Sequence, residues 1–546
     1  MKNLLYIRSL TILIFVIIFL VGINSFRDYG IYTDDSWRRI NDLFWYNYIK
    51  ISILEPSLSF ANNLEILLNK NISNEIKTIT ISSSPSLQTA PLGIFCEFFI
   101  DFFNVEGNRN IFQFRHLFNF IIYFVGLCFF YKLIYKRYKS YLYSFSGTLF
   151  LFLTPRLFGE SFYNSQDISF LTLTIINIYT GINFVRKPNF KHTFAFAISS
   201  ALSFNTRIMA IIPISVALFF FFFKCLRSNL FFKNNLKFVL YFLICIFFLI
   251  IIFWPFLWAN PISNLLYAIS EISSVRTEVI DLYFGKFILS TTVPSHYYIV
   301  WIAITSPLII ISLFLFGSLF FLKRVFIRFS KLNNDLNDMW RGDNEMYDIY
   351  FFMIILLSII LLIFKGLGYN GWRHLYFVYP SIIMISLYGL YLFHFIIKSK
   401  ISRIIICSLI LFNMIYLGYW NYKFHPYQHV YFNLMFKNKF HNNFEMDYWG
   451  LSNRSAIEYI INNNTNYPIK IGTKSFASLE NSSLIFTDKD KKNFFITHEL
   501  SEADFVITNY MPRRSRDFII DKKKYKKYYE VLVDNKAINT VYKKIK

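Results

Sequence analysis

The chain has 546 residues, of which 55% are hydrophobic and 67 are phenylalanine, and its formal net charge is +23. A mean hydropathy of +0.40 lies far above the values of soluble proteins, so a set of ordinary soluble domains is excluded. The positive charge does not indicate nucleic acid, because Lys and Arg cluster between apolar runs, where they would meet lipid headgroups.

Eleven apolar runs approach the length of about 20 residues that a helix needs to cross a hydrocarbon core of about 30 Å. We therefore predict a polytopic all-α membrane domain over 1–420, with about eleven spans, and a small α/β domain over 421–546. The first run resembles a signal-peptide core, but no small-residue cleavage site follows it, so we interpret it as a retained helix. The runs are 4–24, 117–135, 141–154, 168–185, 193–206, 209–224, 237–257, 298–322, 349–366, 374–397 and 403–420.

Clusters of Lys and Arg follow every second run, which predicts that these loops are cytoplasmic. The clusters include Lys136 with Arg137, Lys323 with Arg324, and Lys398 with Lys400. The N-terminus is then cytoplasmic, in what we expect to be a bacterial inner (plasma) membrane. The opposite loops, near 25–116, 155–167, 258–297 and 367–373, face the outside together with the C-terminal domain.

An acidic pair, Asp34 and Asp35, follows the first predicted span by about ten residues. A carboxylate held at the membrane surface could deprotonate an acceptor hydroxyl, and partial burial would tune its pKa for that task. The alternative is a solvated loop in which the pair forms salt bridges with Arg38 and Arg39. The position at the mouth of the first helix favours a catalytic role.

The predicted outer loop 155–167 is rich in polar groups that must lie close to the bilayer surface. Arg156 could bind an anionic substrate, and Glu160, Asn164 and Asp167 could position it. For Asp167, capping of the following helix is an equally good interpretation.

Basic residues also occur on the predicted outer side, where the positive-inside rule disfavours them. Arg207 interrupts an apolar run, so we place it in a tight turn between two helices. Arg207, His296, and Arg373 with His374 could bind a lipid phosphate, because the arginine fork donates two parallel charged hydrogen bonds. Snorkelling at the interface is the alternative.

The C-terminal segment contains strand-like stretches at 467–471, 483–486 and 505–509. It also has two polar and aromatic motifs, 425–433 and 444–450, which suit sugar binding or packing of the tail onto the membrane domain. We find no metal-ligand spacing, no glycine-rich phosphate loop and no Gly-x-Ser-x-Gly motif.

The order of these motifs resembles the C-type (GT-C fold) membrane glycosyltransferases, such as protein O-mannosyltransferases and the bacterial aminoarabinose transferases that act on lipid A. The motifs that carry the resemblance are the acidic pair, Pro155 to Phe158 with Asn164 to Asp167, Tyr369 to His374 ahead of Tyr379-Pro380, His425-Pro426-Tyr427, and Asp447 to Gly450. The likeness covers nearly the whole chain.

The resemblance implies inverting transfer of a sugar from a polyprenyl-phosphate carrier to a glycan, lipid or protein acceptor of the cell envelope. Asp34 would be the base. The second acidic residue of the family is usually Glu, whereas this chain has Asp35. Some relatives use a divalent metal and others do not, so the resemblance leaves the metal dependence of this chain undecided. It implies no other cofactor.

Two other classes fit part of the pattern. A transporter or flippase of lipid-linked glycans would place polar groups through the middle of the bilayer, whereas these runs are nearly free of charge. An O-antigen ligase or polymerase would use a diphosphate-linked oligosaccharide donor and large-loop arginines in place of an acidic pair.

Overall fold

The computed structural model describes residues 2–54, 90–274, 278–330, 340–365, 368–436, 439, 442–465, 467–511 and 520–545. Most of the predicted outer loop 25–116 therefore lies within the described residues, but its part over 55–89 does not.

Helices dominate the chain up to residue 423. The first ten are α1 (Lys2–Ser25), α2 (Asp35–Leu54), α3 (Pro91–Phe102), α4 (Asn108–Tyr138), α5 (Tyr141–Leu153), α6 (Pro155–Tyr163), α7 (Ser165–Arg186), α8 (Phe190–Thr206), α9 (Ile211–Arg227) and α10 (Asn229–Phe253). After α11 (Pro261–Ser274) and a hairpin of β1 (Ile280–Tyr283) and β2 (Lys286–Leu289) come α12 (Tyr297–Thr305), α13 (Leu308–Ser330), α14 (Gly342–Lys365), α15 (Tyr379–Ile396) and α16 (Lys400–Lys423).

Eight helices within the described residues are long and apolar enough to cross a membrane, which indicates an integral membrane protein. They are α4, α7, α9 with the turn before it, α10, α13, α14, α15 with the turn before it, and α16. The other three predicted runs coincide with α1, with α5, which has 13 residues, and with α8, which has 17 residues. α5 and α8 are shorter than a full span. The predicted run 298–322 is divided at Pro307, since proline lacks the amide hydrogen that a continuing helix needs.

Two glycines bring α13 and α15 into close contact. A Cβ atom on Gly317 would lie 2.3 Å from the carbonyl oxygen of Ile385, and one on Gly389 would lie 2.3 Å from that of Leu313. Any larger residue at either position would push the two backbones apart. Close approach through small residues is a common way in which membrane helices gain packing energy, because lipid provides no hydrophobic drive between them.

Parts of the predicted outer loops are folded. The predicted outer loop 155–167 contains a helix, because residues 155–163 form α6, with Pro155 in its first turn, where its missing N–H costs nothing. All nine residues of α6 are buried. The loop predicted over 367–373 continues into a short 3₁₀ helix, Arg373–Val378, that leads into α15.

The C-terminal segment forms a small domain with a five-stranded sheet in the order β4-β3-β5-β7-β6. Its elements are α17 (Asn453–Asn462), β3 (Ile469–Thr473), α18 (Leu479–Ser483), α19 (Asp488–Lys491), β4 (Phe494–Ile496), β5 (Phe505–Thr508), β6 (Tyr525–Val533) and β7 (Lys536–Lys544). β3 pairs in parallel with β4 and β5, whereas β7 pairs antiparallel with β5 and β6. A mixed sheet with helices is the α/β arrangement expected.

Two of the three predicted strands of this domain overlap with β3 and β5. The third, over 483–486, is wrong, because the chain there ends the short helix α18 and continues as a turn. The Ser478 side chain caps α18 by accepting the backbone N–H of Asn481. Leu484 and Ile485 are buried, so the apolar run marked the core correctly, but a short apolar run does not distinguish a strand from other buried structure.

Candidate functional site

A cavity of about 420 Å³ lies where the start of α2, the turn after α8 and the segment before α15 meet the C-terminal domain. Asp34, Arg38, Arg207, Arg373, His374 and Trp449 are among the residues that line it. Four of the predicted site residues, Asp34, Arg207, Arg373 and His374, thus come together, although up to 340 positions of sequence separate them.

Besides Asp42, which is paired with Arg115, the acidic residue of the cavity lining is Asp34. It precedes α2 and is half-buried, and its carbonyl oxygen accepts the first helical hydrogen bond, from the N–H of Arg38 at 2.9 Å. The neighbouring Thr33 donates both its backbone N–H and its hydroxyl to the carbonyl oxygen of Trp449, at 3.1 and 3.0 Å. Within the described part of the chain, the Asp34 carboxylate forms no ion pair or hydrogen bond, so it is open to a bound molecule.

Asp35 does not line the cavity. It is 1% exposed and lies 3.7 Å from Nε of Arg115 and 3.8 Å from Nε2 of His116. Arg115 also binds Asp42 at 2.9 Å and Glu97 at 2.5 Å, so the group forms a buried ion cluster. Burial raises the pKa of Asp42 to about 6, although Arg115 opposes this effect. The structure therefore gives no support to a catalytic role for Asp35.

Asp167 holds two of the arginines of the cavity. Its carboxylate contacts Arg207 and lies 3.6 Å from Nη1 of Arg373. Arg207 also donates to Gln166 at 3.2 Å. Asn164 caps α7 by accepting the N–H of Asp167, and its amide donates to the Asp167 carboxylate at 2.9 Å. Asn164 therefore caps α7, and Asp167 holds Arg207 and Arg373. Neither residue lines the cavity, so their predicted role in positioning a substrate stays a prediction.

Arg373 is fixed by aromatic rings as well as by charge. Its guanidinium lies 4.9 Å from the ring centre of Tyr369 and 4.8 Å from that of Trp449. Stacking of this kind orients the planar fork and leaves its edge for an anion. His374 follows directly and its Nδ1 atom is buried without a hydrogen-bond partner among the described residues.

The lining carries an excess of positive charge. Three arginines line it, Arg38, Arg207 and Arg373, against the two carboxyl residues Asp34 and Asp42. Asp42 is already paired with Arg115, and Asp167 contacts Arg207 from outside the lining. Burial lowers the pKa of Arg38, but Tyr32, Asp34 and Asp167 raise it by more, so this guanidinium stays charged. A cavity with three guanidinium groups and one open carboxylate suits a phosphate ester whose reaction needs a base.

Arg156 and Glu160 lie in a layer behind the cavity, not in its lining. Glu160 accepts hydrogen bonds from the hydroxyls of Tyr376 at 2.7 Å and Tyr448 at 2.8 Å. Arg156 is fully buried and its guanidinium lies 5.6 Å from the ring centre of Trp301. Direct phosphate binding by Arg156 therefore has no geometric support, whereas Glu160 positions Tyr448, which does line the cavity.

His296 is not part of the site. Its side chain is exposed and its ring lies 5.8 Å from that of Tyr283, on the β1–β2 hairpin. The predicted role of His296 in phosphate binding has no support from this placement.

The C-terminal domain forms one wall of the cavity through Tyr448, Trp449, Phe476 and Met511. Behind them, Nε2 of His429 lies 2.9 Å from the Asp447 carboxylate, which also accepts the backbone N–H groups of Leu451 and Ser452 at 3.1 and 2.9 Å. His429 and Asp447 of the two tail motifs thus stabilise the turn that follows Asp447. The aromatic residues Tyr448 and Trp449 of the second motif line the cavity.

Gly450 allows this turn. It has a φ of +72°, and a Cβ atom there would lie 2.4 Å from the Cβ of Ala477. A side chain at this position would disturb both the backbone conformation and the packing that places Trp449.

Sequence reasoning missed Arg38, Phe476 and Met511. From the sequence alone, we interpret Arg38 only as a salt-bridge partner of the acidic pair. Arg38 follows Asp34 by four positions, about one helical turn, and this spacing indicates that the two side chains lie near each other. Nothing in the sequence around Phe476 or Met511 distinguishes them from other core residues.

No group of three or more His, Cys, Asp or Glu side chains that could hold a metal ion occurs in the described ranges of the chain. No protein-family model matches the chain, and no curated protein matches its sequence. The resemblance to membrane glycosyltransferases therefore depends on the order of the motifs alone.

Proposed function

We propose that the protein is a membrane glycosyltransferase that moves a sugar from a polyprenyl-phosphate carrier to an acceptor hydroxyl, with inversion at the anomeric carbon. The observation that carries this proposal is the cavity in which an open carboxylate, Asp34, lies among Arg38, Arg207 and Arg373.

Each group has a defined task in this reaction. Asp34 accepts the proton of the acceptor hydroxyl as its oxygen attacks the anomeric carbon. The bond from that carbon to the phosphate oxygen breaks, and its electron pair leaves with the lipid phosphate. Arg207 and Arg373, already oriented by Asp167 and aromatic rings, stabilise the extra negative charge. The products are the glycosylated acceptor and the polyprenyl phosphate.

The aromatic wall provides a surface for the sugar ring. Tyr448 and Trp449 supply large contact areas in fixed orientations, because Glu160 holds the first and Thr33 bonds to the backbone of the second. The C-terminal domain then belongs to the catalytic site, since it supplies this wall.

The proposal includes the predicted topology. About eleven spans require α1, α5 and α8 to cross or enter the bilayer beside the other eight helices. With the N-terminus in the cytoplasm of a bacterial cell, the cavity opens at the outer face of the inner membrane, where the lipid tail of the donor enters sideways from the bilayer. The acceptor is a cell-envelope glycan, a lipid or a protein.

The direct test is transfer of radiolabelled sugar from polyprenyl-phosphate donors by the purified full chain in lipid. General base catalysis contributes about 10²–10⁴-fold, so Asp34→Asn is expected to lose activity by that factor while it still binds donor. Asp488→Asn, which changes an exposed aspartate of the C-terminal domain, is the matched control and keeps full activity.

Full activity of Asp34→Asn would contradict the assignment of the base. No turnover of any monophosphate donor would contradict the proposal as a whole. Turnover of diphosphate-linked oligosaccharides in that case would favour the ligase class, and movement of the intact lipid-linked glycan across vesicles would favour a transporter.

A further inference from the structure

A second cavity, of about 500 Å³, lies at the opposite, Lys- and Arg-rich ends of α13 and α15, near the start of α14. Its polar lining consists of Lys323, Arg324, Arg328, Arg341 and Tyr388. None of these residues belongs to the cavity around Asp34, so the proposed transfer reaction does not account for this site.

The arginines of this second cavity are held in place by two carboxylates. Asp348 receives two hydrogen bonds from Arg137, at 2.8 and 2.9 Å, and also binds Arg324 at 3.2 Å. Arg328 pairs with Glu345 at 3.0 Å. The guanidinium groups are thus ordered before any ligand arrives, which lowers the entropic cost of binding.

Among the described residues, positive charge remains in excess. Five cationic side chains line the cavity or pair with the two carboxylates Glu345 and Asp348; they are Arg137, Lys323, Arg324, Arg328 and Arg341. An anion that enters the cavity would meet ordered Arg324 and Arg328 together with the exposed Lys323 and Arg341. Phosphate suits such a set, because it accepts several charged hydrogen bonds at once.

The apolar surroundings indicate the source of the phosphate. Phe320 and Ile327 contribute to the wall of the cavity, and the Ile327 side chain is 41% exposed. In a membrane this face of α13 contacts acyl chains. A ligand with a phosphate headgroup and acyl chains fits both parts, whereas a soluble phosphate would leave the apolar wall uncovered.

We infer that this cavity binds the phosphate headgroup of an anionic membrane phospholipid, whose acyl chains lie along α13. The site is at the end of the helices predicted to be cytoplasmic, opposite the cavity around Asp34. Basic pockets between membrane helices on that side are well suited to anionic lipids. The inference does not depend on the proposed sugar transfer.

Native mass spectrometry of the purified full chain tests this inference. Wild type is titrated with phosphatidylglycerol and with phosphatidylcholine of the same acyl chains. Each cation near a lipid phosphate contributes about 1 kcal/mol, so the double variant Lys323→Ala with Arg341→Ala is expected to bind phosphatidylglycerol about 25-fold more weakly. Binding of phosphatidylcholine is expected to be weak in all forms.

The matched control is Lys398→Ala with Lys400→Ala, which removes two exposed cations at the same end of the helices but outside the cavity. This control is expected to retain the wild-type affinity. Thermal unfolding of each form checks that it is folded.

Three outcomes would overturn the inference. They are equal binding of the two lipids by wild type, equal loss of affinity in the control and the cavity variant, and unchanged affinity in a folded cavity variant. Displacement of the bound lipid by inorganic phosphate at low concentration would assign the site to soluble phosphates and contradict the lipid.

Discussion

The cavity around Asp34 and the ion cluster around Arg115 are neighbours along α2: Asp34 lines the cavity, Asp35 belongs to the cluster, and Asp42 contacts both. In the cluster, one arginine is surrounded by Asp35, Asp42 and Glu97, all of them buried. In the cavity, three arginines lie near Asp34; Asp42 of the cluster also lines this cavity but is paired with Arg115, whereas Asp34 stays open.

This difference distinguishes charged groups that stabilise the fold from charged groups that can take part in a reaction. Buried ions that contact each other are committed to the fold, and they gain little from further partners. An open carboxylate beside excess cations can still exchange a proton and accept an anionic ligand. The comparison therefore assigns Asp35 to the fold and Asp34 to the reaction.

The largest expected effect is at the centre of the cluster. Arg115→Leu would leave three buried carboxyl groups without their main counter-ion, and breaking a buried pair costs about 3–5 kcal/mol. We expect a strong loss of thermal stability or of folded protein, measured by unfolding of the purified chain in lipid. Arg27→Leu, which changes an exposed arginine, is the control; an equal effect of both variants would show that the cluster is not special.

A smaller effect is expected at the cavity. Arg373→Lys keeps the charge but loses the fork and its stacking between Tyr369 and Trp449. Hydrogen bonds to charged groups contribute about 1.5–3 kcal/mol, so the donor KM should rise by at least about tenfold. Thermal stability should change little. An unchanged KM would remove Arg373 from the donor site.

A pair of buried carboxyl groups, Asp281 and Glu445, gives the third prediction, and its effect should be the smallest. Asp281 on β1 is buried beside Glu445, and burial raises the pKa of Asp281 to about 6. Because the folded pKa is raised, the stabilising contribution of Asp281 is present at low pH and is lost as the pH rises through about 6.

Asp281→Asn should remove this dependence. The melting temperature of the variant, relative to wild type, is expected to rise by about one to two degrees between pH 5 and pH 7.5. Thermal unfolding of both forms over this range checks the sign. A relative melting temperature that falls with pH would mean that the pKa of Asp281 is lowered in the folded protein.

The sequence predicts much of the membrane domain, because a helix in lipid must be apolar over a length that the bilayer sets. The same reasoning placed Arg207 between two helices, and the structure confirms this, with α8 ending at Thr206 and a 3₁₀ turn beginning at Ile208. It could not show that Asp167 would bind Arg207 and Arg373 together, since these residues belong to separate segments.

The acidic pair shows a second limit. A motif reports that two carboxylates are adjacent, but not the residue at which the helix begins. α2 begins at Asp35, while Asp34 belongs to a loop that Thr33 ties to Trp449 of the C-terminal domain. That contact joins segments over 400 residues apart, so no local pattern could separate the roles of the two aspartates.

The central claim is tested most directly by measuring sugar transfer and thermal stability for Asp34→Asn and Asp35→Asn side by side. We predict a loss of transfer by about 10²–10⁴-fold for Asp34→Asn at unchanged stability. Asp35→Asn should keep most of its activity per folded molecule. Loss of transfer in Asp35→Asn, with full activity in Asp34→Asn and both proteins folded, would contradict the account.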